Sequence, residues 1–152
     1  MALYLEFDLI VRRFAQAKLR YAVAGGLAVG LHGYVRATQD MDFLMHEMDL
    51  AKARSILLKL GYRANPGVQE FARAGLTLNR FFKRSPKEED LMLVDILNPT
   101  SVWMLQVLER AVLVPYGKRS IPVVTANDLV KMKRLRGSTA DKADIEFLRR
   151  KK

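Results

Sequence analysis

Three acids and a glycine pair are the residues of this sequence best suited to chemistry. Asp40 and Asp42 are separated by one residue, and on a strand such residues point to one face. Two carboxylates side by side repel unless a cation or strong donors neutralise them. A pair of divalent ions about 3.5–4 Å apart is one natural solution, and hard carboxylate oxygens suit magnesium. Asp95 is a lone charge in the apolar run Leu91-Met92-Leu93-Val94-Asp95-Ile96-Leu97. Burying a carboxylate without a partner is costly, so Asp95 needs a metal, an arginine or a cluster of donors. The three acids converge if 41–45 and 91–97 are neighbouring strands. Gly25-Gly26 follows a short apolar run and opens a helix. There the backbone can approach a ligand closely, and free N–H groups favour a phosphate. The pattern is not G-x-G-x-x-G, and no Lys-Ser or Lys-Thr follows it, so a Rossmann or P-loop reading is unsupported.

The elements that must position these residues follow from periodicity. Leu5, Leu9, Ile10, Phe14 and Ala17 have helical spacing. Tyr21 to Ala24 reads as a buried strand, and Leu27 to His32 as a helix ending at Gly33. Met41 to Met45 is a second strand. Asp49 is expected to cap a helix that Gly61 closes. Leu76 to Phe82 and Leu91 to Leu97 suit strands, joined by a polar loop over 83–90. A helix follows Asn98-Pro99 with Thr100 or Ser101 as its cap. Val112 to Val114 and Ser120 to Val124 flank Tyr116-Gly117 as a strand pair. Thr125 or Asn127 caps a helix through Leu135, and Asp141 to Arg150 is the last helix. The predicted class is α+β (mixed α/β), a single domain over 1–152 with a small mixed sheet flanked by helices. Its closing helices lie at about 125–150.

Composition narrows the chemistry further. Half of the chain is hydrophobic and 28% charged, which provides for a core. With no cysteine, a disulfide scaffold, a thiolate metal site and a cysteine nucleophile are excluded. His32 and His46 are too few for most histidine metal sites and read as packing or surface residues. The net charge of +10 favours a phosphate-rich partner. No segment approaches the roughly 20 apolar residues of a membrane span. The acids Glu6 and Asp8 near the start argue against a signal peptide, so the cytoplasm is the expected location.

Gly25-Gly26, Asp40-Met41-Asp42 and Asp95 on a later strand together resemble the DNA polymerase β-type nucleotidyltransferase superfamily. Arg36-Ala37-Thr38-Gln39-Asp40-Met41-Asp42 is similar to small prokaryotic members, including the AbiEii-like toxin nucleotidyltransferases. Asp128-Leu129-Val130-Lys131-Met132-Lys133 and Asp141-Lys142-Ala143-Asp144-Ile145 resemble their closing helices. The resemblance implies a polymerase β-like fold and transfer of a nucleoside monophosphate from an NTP to an acceptor hydroxyl. It implies that Asp40, Asp42 and Asp95 are catalytic and bind two Mg²⁺ ions, with Asp95 helping to deprotonate the hydroxyl. Gly25 and Gly26 would hold the triphosphate, and Arg36, Thr38 and Lys133 are its candidate nucleotide-binding contacts. Where relatives often carry basic residues, this chain has Ser138 and Ala140.

The acceptor is open at this stage. Residues 131–152 carry nine Lys or Arg against three acids, a face suited to an RNA or tRNA backbone. That would suit a toxin paired with an antitoxin protein, and a chain this short suggests a second protomer or partner at the acceptor site. A catalytically silent nucleotide-binding or RNA-binding module on the same fold is the alternative, and an antibiotic-modifying enzyme is less favoured in so basic a chain. Taken singly, Arg36 suits a structural salt bridge as well as a ligand contact. Lys133 on its own reads as a solvated residue of a basic helix. Asp141 and Asp144 read as acids near a helix start or as structural partners of Lys133.

Overall fold

A computed structural model describes residues 2–34, 38–84, 91–136 and 139–151. The chain runs α1 (Ala2–Gln16), β1 (Tyr21–Ala24), α2 (Gly25–Leu31), β2 (Asp40–Met45), α3 (Leu50–Lys59), β3 (Arg63–Ala64), β4 (Gln69–Phe71), β5 (Leu76–Arg84), β6 (Leu91–Pro99), α4 (Val102–Glu109), β7 (Val112–Tyr116), β8 (Arg119–Val123), α5 (Ala126–Arg136) and α6 (Thr139–Lys151). The strands form one mixed sheet in the order β3-β5-β6-β2-β1-β8-β7, with β4 paired to β5. The pairs β2–β6 and β1–β8 are parallel and the others antiparallel. The α+β class and the mixed sheet expected from the sequence are therefore present.

Alternation along the strands separates the two faces of the sheet. Phe43 faces α1: its ring lies 5.9 Å from Phe7 and 5.2 Å from Phe14. Tyr21 closes the cluster at 5.5 Å from Phe14 and 5.9 Å from Phe43. Such pairs add modestly to the larger gain from burying the rings. Asp40 and Asp42 have the opposite parity and lie on the other face, where Met104 of α4 and Leu129 and Met132 of α5 line a common cavity with them. The buried aromatic layer thus fixes the register of β2, because a slip of one residue would turn the acids into the core.

Local signals set the helix ends. Ser101 caps α4, its Oγ accepting from the Met104 N–H at 3.1 Å, and Thr125 Oγ1 does the same for the Asp128 N–H at 3.1 Å. Asp49 makes no cap bond. A 3₁₀ turn over Glu47–Asp49 precedes α3, and His46 Nδ1 accepts from the Met48 N–H at 3.1 Å in its place. Helix α2 begins at Gly25, two residues before the expected start, directly out of β1. His32 is buried, with Nε2 2.8 Å from the Val124 carbonyl oxygen. Among the described residues no helix is long and apolar enough to cross a membrane.

Candidate active site

The acids are collected by strand register. Asp42 on β2 lies opposite Asp95 on β6, and Asp95 lies opposite Arg80 on β5. On its other side Asp42 is opposite Ala24, the last residue of β1. One rung of the sheet therefore reads Arg80, Asp95, Asp42, Ala24, and Asp40 stands two residues from Asp42 on the same face. Gly25 follows Ala24 with φ +63°, a conformation that L side chains rarely adopt. A Cβ built there would lie 2.0 Å from Asp42 Oδ2. The glycine that opens α2 is thus required twice, by its backbone angle and by the carboxylate beside it.

Asp95 is 3% exposed, and its partner is an arginine. Arg80 Nε donates to Oδ1 at 2.8 Å and Nη2 to Oδ2 at 2.9 Å, a bidentate pair. The Arg80 guanidinium is held in its charged form, with its pKa raised. The hydrogen bond to Asp95 is the main cause, burial opposes it, and the charges of Asp95, Asp40 and Asp42 add to the rise. Arg80 therefore belongs electrostatically to all three acids. Of the partners open to Asp95 in the sequence, the fold supplies the arginine.

Lys133 is 3% exposed, not solvated as the basic run around it suggests. Its Nζ is 3.0 Å from Oδ2 of the fully buried Asp144 of α6. The expectation that Asp144 partners Lys133 holds, while the Asp141 side chain lies outside the described residues. Arg110 at the end of α4 grips Asp128 at the start of α5 through bonds of 2.9 and 3.2 Å, seating α5 over the acid face.

These groups share a cavity of about 420 Å³. Asp40, Asp42, Asp95, Arg80, Arg73, Lys133 and Gln69 form its polar part, with Gly25 beside them. Its walls are largely apolar, with Phe71, Leu76, Leu78 and Leu97 from the sheet, Met104 and Met132 from the helices, and Ala72 and Ala74 from the β4–β5 connection. The Thr38 hydroxyl is turned to the Asp40 carbonyl oxygen at 3.3 Å, holding the entry to β2. Gly26 is the second residue of α2. Arg36 lies outside the described residues, as does Ser138.

No protein-family model matches the sequence, and no curated protein matches it. Solved structures do match. The lincosamide antibiotic adenylyltransferase LnuA, with lincomycin bound, aligns over 95% of this chain and 94% of its own with a TM-score of 0.66 and 19% identity. ANT(2")-Ia in complex with adenylyl-2"-tobramycin aligns over 97% and 88% with a TM-score of 0.64 and 11% identity. TM1012 of Thermotoga maritima, a candidate nucleotidyltransferase, aligns over 97% and 91% at 0.63 and 17%. The chain has the nucleotidyltransferase fold.

On this nucleotidyltransferase fold, the donor set can be tested against the metal that the fold implies. Among the described residues no three Asp, Glu or His side chains form a group that could hold a metal ion. Both oxygens of Asp95 already accept from Arg80, and Asp40 and Asp42 are the remaining acids at the cavity. Magnesium commonly keeps several waters and takes one or two carboxylates plus substrate phosphates. The pair fits a magnesium–nucleotide complex, and does not amount to an all-protein cage.

Sequence reasoning missed Arg80 and the apolar wall. A signal for Arg80 was present: in Leu76-Thr77-Leu78-Asn79-Arg80 it falls on the face of Leu76 and Leu78, a charge on an apolar stripe like Asp95. The wall residues Phe71 and Ala74 belong to the three-residue β4 and the turn after it, too short for a periodicity to reveal them.

Proposed function

We propose that this chain is a Mg²⁺-dependent nucleotidyltransferase that moves a nucleoside monophosphate from an NTP to a hydroxyl of a small, partly apolar molecule. The observation that carries this reading is the row of acids beside Gly25, opening into a cavity with apolar walls. A volume of about 420 Å³ is in the range of small-molecule sites. The names of the solved neighbours, which include adenylyltransferases of lincosamide and aminoglycoside antibiotics, support the same class of acceptor.

Asp40 and Asp42 hold the magnesium–triphosphate complex in this reading, and Gly25 leaves room for the Asp42 carboxylate. Bound there, magnesium supplies charge neutralisation for the triphosphate. The acceptor oxygen forms a bond to the α-phosphorus, and the bond from that phosphorus to the bridging oxygen of the β-phosphate breaks. Pyrophosphate leaves with the electron pair. The hydroxyl proton passes to a carboxylate oxygen of Asp40 or Asp42, because Asp95 is engaged by Arg80. Lys133, fixed by Asp144, places a positive charge at the same cavity for the phosphates. In-line positioning of hydroxyl and phosphate accounts for much of the rate.

The basic outer side of the last two helices favours a second reading. Lys131, Arg134 and Arg149 border one surface depression there, which suits an RNA or tRNA acceptor and a toxin controlled by an antitoxin. One experiment separates the readings. The protein is incubated with each labelled NTP, Mg²⁺, and either a panel of hydroxylated small molecules, including lincosamides and aminoglycosides, or total tRNA. Label on a small molecule is the expected result, reduced at least about 100-fold by Asp40→Ala or Asp42→Ala, the scale of losing a charge-stabilising group. Label on tRNA supports the second reading. Nucleotide binding with no transfer to either pool would instead identify a silent module and overturn both.

A further inference from the structure

Asp95 stands between two neighbours of opposite charge. Arg80 faces it across β5–β6 and Asp42 across β6–β2, all on one rung. With the side chain of Asp95 only 4% exposed, water cannot solvate its charge, and the Arg80 fork takes both of its oxygens. A metal ion at Asp95 would have to share these two oxygens with the fork and sit against its positive charge. Arg80 is not confined to Asp95, however. It also lines the cavity, and its side chain is 35% exposed.

We propose that Arg80 is a resident cation that fills, at Asp95, the place a second metal ion would take, so that the site loads a single divalent ion with its nucleotide. The inference rests on the nucleotidyltransferase reading above. The chemistry suits the role: a guanidinium stays charged at any physiological pH and matches carboxylate and phosphate geometry. Asp95 fixes one edge of the group, and the cavity meets the rest. The charge is part of the chain, so it is in place before nucleotide arrives and does not vary with free magnesium. Asp95 is then a positioning residue that acts through Arg80, and Asp40 and Asp42 are the metal ligands.

The competing view makes Arg80–Asp95 an ordinary cross-strand ion pair without bearing on metal loading. Manganese titration followed by electron paramagnetic resonance distinguishes them, using the full chain and α,β-methylene analogues of the four NTPs. The expected result is one Mn²⁺ per nucleotide-bound chain in the wild type. Arg80→Gln frees Asp95 and should take up a second ion, which Asp95→Asn in the same chain should remove. Asp95→Asn alone should keep one Mn²⁺ per nucleotide-bound chain, and this arm stands even if Arg80→Gln does not fold. Two ions in the wild type, one ion in folded Arg80→Gln, or nucleotide bound without any ion in Asp95→Asn overturns the inference while leaving nucleotidyl transfer intact. If no analogue binds the wild type at all, the transfer reading itself falls.

Discussion

A single methyl group at position 25 tests how closely the backbone and the acids are fitted. Gly25→Ala would force a side chain into a positive-φ position and against Asp42 Oδ2. Strain of this kind costs about 1–3 kcal/mol, so the urea midpoint should fall. Asp42 must also move aside, and Mn²⁺–nucleotide binding should weaken. A stability loss with binding unchanged would argue that Asp42 does not hold the metal. At this scale the sequence was informative in proportion to how local the cause was. The shared face of Asp40 and Asp42 follows from strand parity alone. Asp95 announced that it needed a partner, but the choice among metal, arginine and donors was decided by the β5–β6 register, fifteen positions from Arg80 to Asp95. Lys133 misled because a basic run reads as solvated, whereas the acid that buries it sits on the next helix.

The closing helices α5 and α6 depend on that same pair, since Lys133 and Asp144 are 3% and 0% exposed. Removing one member of a buried ion pair leaves the other charge poorly compensated and costs about 3–5 kcal/mol, whereas replacing both by apolar groups is often tolerated. Asp144→Ala should therefore lower the urea midpoint strongly, and Lys133→Met with Asp144→Leu should recover much of the loss. A double variant no more stable than Asp144→Ala would show that the charge is not the source. Elements with a strong period or a local cap were legible from sequence: the long strands, the β7–β8 hairpin, and the Ser101 and Thr125 caps. The two-residue β3 and three-residue β4 were not, because strands so short and so exposed carry no alternation to detect. They matter nonetheless, since the chain leaving β4 supplies part of the cavity wall.

At the scale of the whole molecule, two tyrosines connect the packing of the sheet and α1 to pH. The basic balance of +10 is compatible with a cluster of acids, because Arg80 lies among them. The tyrosines behave differently, as burial opposes their ionisation. Tyr21 has its pKa raised from 10.0 to about 12, chiefly by burial and against the pull of Arg119. Tyr62 is raised as well, by burial first and then by its 2.9 Å hydrogen bond to Glu6, which Lys83 also contacts at 2.9 Å. In the unfolded chain both phenols ionise near pH 10. Between pH 10 and the higher folded values, the native state holds more protons than the unfolded state, so stability must fall as pH rises. The contribution is complete below about pH 10 and, for Tyr21, is lost as the pH approaches 12. A two-unit shift corresponds to roughly 2–3 kcal/mol. Urea unfolding at pH 8 and at pH 11 should show the midpoint falling. Tyr21→Phe should flatten that fall by removing one titrating group, and Tyr62→Phe should do the same while also loosening the link from Glu6 of α1 to Lys83 of β5. If both variants keep the full wild-type slope, the alkaline loss arises elsewhere and the buried phenols are not its cause.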